Sequence, residues 1–115
     1  MKYYSEKETK NLREAFEDEV LGWPLVGTRR MFGCPCYQAQ GRLFAFLVTK
    51  GLVLTRLPKK DRDAMSREYQ TSSFRAGKRT VQDWVRISIR NSRDLVRIMP
   101  FVRKSYEAGL EGTEI

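Results

Sequence analysis

Histidine is absent from the 115 residues of this chain, and that absence excludes more than any residue present implies. It removes the commonest general base, the usual partner of a serine or cysteine nucleophile, and the commonest metal ligand. Cysteine is nearly absent too, with only Cys34 and Cys36. Two thiols without an imidazole fall short of the four ligands of a closed zinc site, so a single chain holds no such metal, and two chains would have to combine to build one. Their spacing is too tight for the disulfide framework of a secreted mini-protein. A redox pair ordinarily has two residues between its cysteines, where this pair has only Pro35. Long hydrophobic runs are also missing. The longest, Leu43 to Val48, is far too short to cross a bilayer, and no signal-peptide pattern opens the sequence. The expectation is a cytoplasmic protein that does not enter the membrane, folded as a single domain over residues 1–115.

What the chain has is positive charge, unevenly placed. Its net charge is +8. Residues 1–28 carry four Lys/Arg and six Asp/Glu, residues 29–104 eighteen and five, and residues 105–115 only three acids. A basic middle between acidic ends points to an anionic partner or to electrostatic pairing between copies of the chain; a merely solvated basic surface is the plain alternative.

Hydrophobic periodicity organises that middle. Leu43 to Val48 and Leu52 to Leu57 read as strands separated by turn chemistry at Lys50-Gly51, and Cys36 to Gln40 as a strand before them, closed by Gly41-Arg42. Connections this short make an antiparallel meander. Trp84 to Arg90 alternates as a half-buried strand, with Val85, Ile87 and Ile89 on one side. Ser72 to Thr80 is loop-like, with room for one short strand near 72–76. Helices are predicted in three places. The first starts at a capping box, Ser5 to Glu8, with an inner face of Leu12, Ala15, Phe16 and Val20, and stops near Leu21. The second is Lys59 to Tyr69. The third is capped by Asn91 or Ser92, buries Leu95, Ile98, Met99, Val102 and Tyr106, and should be kinked or divided by Pro100, leaving a frayed tail from Gly109. The fold class is α+β: a two-layer antiparallel sheet with helices packed on one face, in the order α-β-β-β-α-β-α. Such a sheet leaves its second face open, which predicts a homodimer that covers it.

No catalytic constellation emerges. Gly77-Lys78 resembles the end of a phosphate loop, but Ser72 stands where its first glycine belongs and Arg79 where its Ser/Thr belongs. An acid and base would have to come from residues such as Tyr37, Lys78 and Asp83, the weakest of the readings; no catalytic residue and no cofactor is expected. The remaining candidate is a basic surface: Arg29, Arg30, Arg42, Lys78, Arg79, Arg86 and Arg90, with Trp84 as a stacking platform on the same side of its strand as Arg86 and Arg90. The competing assignment buries Trp84 in the core or a dimer interface, with the arginines merely flanking it. Helix-turn-helix, zinc-finger and basic-zipper patterns are all lacking.

Several segments together resemble a known family. Arg30-Met31-Phe32-Gly33, Gly41-x-x-Phe44-Ala45, Leu54 with Leu57-Pro58, Phe74-x-x-Gly77, Trp84-Val85-x-Ile87, and Leu95 with Ser105-Tyr106 are similar to the N-terminal domain of the TfoX competence regulators, over roughly residues 12–108. The chain departs from that pattern at Cys34-Pro35-Cys36 and at Arg56. The chain as a whole is read as a non-catalytic binding or regulatory module acting as a homodimer, with a protein partner also open to it. The alternative is a nucleic-acid-associated protein that binds phosphate backbone through the basic middle. The resemblance implies helices on one antiparallel sheet. It brings no catalytic residues, and Met31, Phe32, Gly33, Gly41 and Phe44 carry over as structural motif positions only.

Overall fold

A computed structural model describes residues 3–112. The elements are α1 (Glu6–Val20), β1 (Val26–Met31), β2 (Cys34–Ala39), β3 (Arg42–Val48), β4 (Gly51–Leu54), α2 (Lys59–Glu68), β5 (Thr71–Ala76), β6 (Arg79–Ser88) and α3 (Ser92–Glu111). All strands join one antiparallel sheet in the order β1-β2-β3-β4-β6-β5. The α+β class and the helix-covered antiparallel sheet agree with the sequence pattern, but the sheet has six strands rather than four or five. Both additions, β1 and β5, are edge strands. Their outward residues are polar, as in Thr28-Arg29-Arg30 and Ser72-Ser73, because an edge strand has a neighbour on one side only. β6 also starts earlier than Trp84, so Ser72 to Thr80 is a β-hairpin and not a loop.

Other boundaries shift for local reasons. Ser5 occupies the N-cap of α1 but its hydroxyl makes no cap bond; its backbone N–H donates to Thr49 Oγ1 instead, while Glu8 faces Lys50 at 3.7 Å. In α1 the buried face is Thr9, Phe16 and Val20, and Ala15 is exposed. β4 ends at Leu54 because the chain turns toward α3, where the Ser105 hydroxyl accepts the Arg56 N–H at 3.0 Å and donates to Phe44 O at 2.7 Å. Pro100 does not divide α3, which runs on through Gly109 to Glu111; the Asn91 side chain caps its start by accepting the Asp94 N–H at 2.9 Å. Pro100 is exposed, and the carbonyl it cannot bond belongs to Val96, itself 70% exposed, so water can replace the missing donor. The predicted tail is thus helical to Glu111, and its last residues, 113–115, lie outside the described residues.

The sheet has two packed faces. On the helix face, Phe16 of α1 meets Tyr37 at 4.9 Å, and Tyr106 of α3 meets Trp23 at 4.8 Å and Phe44 at 5.5 Å. Gly109 lets α3 approach β2 so closely that an added Cβ would stand 3.0 Å from that of Ala39. On the other face, Phe46 packs on Phe74 at 5.1 Å and on Trp84 at 5.5 Å. Phe44 and Phe46 are two apart and would ordinarily share a face. Between β2 and β3 the register passes from Tyr37↔Ala45 to Gln38↔Leu43, so Phe44 is an extra, unpaired residue. This bulge sends the two rings to opposite sides.

The second face needs no other chain to bury it. Cys36, Phe46 and Val53 are fully buried within one copy and Phe74 nearly so. Tyr3 shows how. Its ring lies 5.7 Å from Phe32, in the turn after β1, and 5.5 Å from Phe74 in β5, while its hydroxyl accepts the Gly77 N–H at 2.7 Å. Laid flat, the outer strands of such a sheet would stand about 24 Å apart, at about 4.8 Å per strand. One ring touching both edges means that the sheet coils until opposite corners meet over its concave side. The uncovered face from which a homodimer was expected is therefore closed within the chain.

Candidate functional site

The structure separates the basic candidates into distinct places. Arg42 is not free to bind an anion: its Nη1 donates to Gly109 O at 3.0 Å, so it neutralises the negative end of α3. Trp84 is not an open platform either, since its ring sits edge-on to Phe46 and 6.0 Å from Phe74, inside the coiled face. Arg29 and Arg30 lie on β1, exposed, and line a groove of about 520 Å³ against α1. Lys78 and Arg79 form the tip of the β5–β6 hairpin. Arg86 and Arg90 do come together: both line a groove of about 550 Å³ beside the start of β5, with Gln70, Ser72, Ser88 and Asp94.

Sequence reasoning missed Arg75, because the segment holding it was read as loop. It missed Arg93, Arg97 and Lys104 as well, which are exposed along one side of α3 at helical spacing. On the β5–β6 hairpin, Arg75, Lys78, Arg79 and Arg86 are all exposed and form no ion pair among the described residues. The hairpin's one acid, Asp83, already faces Arg62 at 3.6 Å. On α1, by contrast, a cation is matched. Arg13 is held by Glu6 at 2.8 Å and Glu17 at 2.9 Å, and Glu17 also accepts the Tyr37 hydroxyl at 2.7 Å, which fastens α1 to β2. Hydrogen bonds from Arg13 and Tyr4 lower the Glu6 carboxyl to about 2, and burial with the Glu17 contact pushes the Tyr37 phenol up.

Cys34 and Cys36 are fully buried and unpaired. Burial pushes both thiols up to about 11, away from the reactive thiolate. No group of three or more His, Cys, Asp or Glu side chains placed to hold a metal ion occurs among the described residues. Tyr37, Lys78 and Asp83, the acid and base the sequence could offer, are not assembled: Tyr37 lies beneath α1, Lys78 at the hairpin tip and Asp83 against Arg62. No helix among the described residues is long and apolar enough to cross a membrane.

Of the motif positions, Met31, Gly33 and Gly41 belong to the ends and turns of the meander, with left-handed φ at Gly33 (76°) and Gly41 (81°). Phe32 is the unusual one. It precedes Gly33 in a two-residue hairpin turn, at φ 56°, where asparagine or glycine is favoured. A bulky residue held there costs on the order of 1–3 kcal/mol. The ring remains 53% exposed, so its burial against Tyr3 contributes about 1 kcal/mol, roughly half that of a fully buried side chain. The two figures roughly cancel, so folding gains little from this phenylalanine.

Comparison of the chain with family models, curated proteins and solved structures yields no match.

Proposed function

We propose that this protein is a non-catalytic binding module whose partner is a nucleic acid, held through its phosphate backbone by the β5–β6 hairpin and the adjoining Arg86–Arg90 groove. The observation that carries this reading is the hairpin's four exposed cations, none of which forms an ion pair among the described residues. Exposed, unpaired cations spread along one hairpin attract a polyanion, and each phosphate they neutralise releases counterions. Ser72 and Ser88 add hydroxyl donors along the same groove. Contacts of this kind position a backbone without reading sequence.

The test is anisotropy of labelled single-stranded and duplex DNA over a salt series. Affinity should fall steeply with salt for the wild-type protein. Replacing Arg75, Lys78, Arg79 and Arg86 together by Gln should weaken binding at least tenfold and flatten the salt slope by roughly one unit per lost phosphate contact. Absence of binding at about 50 mM salt, or a variant as tight as wild type, would remove the reading.

A further inference from the structure

Outside glycine, left-handed backbone is found at Leu25, Phe32, Gln40 and Lys50, and of these only Phe32 carries an aromatic ring, which the fold leaves half open. The surroundings of that ring are cationic. Arg30 Nη1 donates to Gly33 O at 3.0 Å, which holds its guanidinium against the turn itself. Arg29 precedes it on β1, exposed. From the other edge of the sheet, Gly77 donates its N–H to the Tyr3 hydroxyl, and Tyr3 packs on Phe32, so Lys78 is carried to the same seam. The acids that share the groove of Arg29 and Arg30 are already engaged, Glu6 by Arg13 and Tyr4, and Glu17 by Arg13 and Tyr37. An accessible aromatic ring between cations that come from two edges of a sheet is the arrangement that takes an unpaired base on the ring and phosphates on either side.

We infer that the Phe32–Gly33 turn is a base-stacking point for a single nucleic-acid strand. Arg29, Arg30 and Lys78 hold the backbone that flanks the stacked base. This deepens the polyanion reading and rests on it. It also assigns the stacking role to Phe32 rather than to Trp84, whose ring is occupied inside the coiled face. A duplex keeps its bases stacked on one another and offers none to this ring, so the inference separates the two strand forms.

The experiment compares wild type, Phe32→Asn and Phe32→Tyr for binding to a labelled oligothymidylate and to a duplex of the same length, with melting temperatures recorded alongside. Asn suits the left-handed turn, so F32N should keep or raise the melting temperature. Its affinity for the single strand should fall about 5- to 150-fold, the range for losing one base–aromatic contact, with duplex affinity and salt slope unchanged. F32Y should bind the single strand within about twofold of wild type, since it keeps the ring. Equal single-strand affinity in F32N and wild type would overturn the stacking site, as would a loss in F32N that tracks a fall in melting temperature or a comparable loss in F32Y. If duplex binding stays salt-sensitive and is lost in the hairpin variant while F32N is silent, the stacking site fails and the polyanion reading stands. If wild type binds neither form, both fail.

Discussion

The β3–β4 hairpin and the β5–β6 hairpin lie side by side in one sheet, joined where β4 pairs with β6, yet they spend their residues differently. In the first, every residue from Phe44 to Val48 and from Gly51 to Leu54 is buried, and both faces are packed. The second buries one residue in two along its inner part, at Val85 and Ile87, and sends Arg75, Lys78, Arg79 and Arg86 to solvent. A central hairpin covered on both faces has no surface to give to a partner, and its interior tolerates no charge. An edge hairpin has a free side, and the cations there both discourage strand-to-strand aggregation and remain available to a ligand. Stability and binding are therefore expected to be separable in this molecule.

That separation can be broken most forcefully at Phe46, which is fully buried and touches both Phe74 and Trp84. Phe46→Ala should lower the free energy of unfolding by about 3–5 kcal/mol, read from urea denaturation. A loss under about 1 kcal/mol would mean that the concave face is not packed as a core. A smaller effect is expected from pH. Cys34 and Cys36 titrate near 11 in the folded chain against an ordinary 9, so the folded state favours the neutral thiols. Their contribution is fully present below pH 9 and declines as pH rises towards 11. Denaturation midpoints across that window should fall less for a Cys34→Ala, Cys36→Ala double variant than for wild type; parallel slopes would show that the thiols are not so shifted. The smallest effect belongs to the β5–β6 hairpin. Single Arg75→Gln or Arg79→Gln changes should alter stability by no more than about 0.5 kcal/mol. A larger loss in a thermal melt would show that these cations are part of the fold and spoil the contrast.

Much of the fold is legible residue by residue. Alternation in Val85, Ile87 and Ile89 and the unbroken run from Leu43 to Val48 mark strands because burial demands apolar side chains at those positions. β1 and β5 are not legible in the same way, since their stability comes from pairing with one buried neighbour rather than from their own side chains. Pro100 misleads because a proline's cost depends on whether the orphaned carbonyl meets water, which periodicity does not report. The candidate site is legible only as a list of cations. Nothing in the order of residues separates Arg42, spent on the end of α3, from Arg86 and Arg90, which share a groove. Nor does it separate Trp84, whose ring packs on Phe46 and Phe74, from Phe32, whose ring is half open.

The sequence by itself determined the composition-level facts and the local ones. These are the lack of imidazole chemistry, the positive middle of the chain, the three helices, the inner strands of the sheet and its antiparallel sense, all set by residue type, spacing and turn length. Tertiary structure alone decided the rest: the bulge that divides Phe44 from Phe46, the coil that brings Tyr3 against both sheet edges, and which cations keep a partner. The physical reason is range. Propensity and periodicity act over a few residues, whereas the closure of the second face and the pairing of charges depend on contacts between segments as distant as Tyr3 and Gly77 or Arg42 and Gly109.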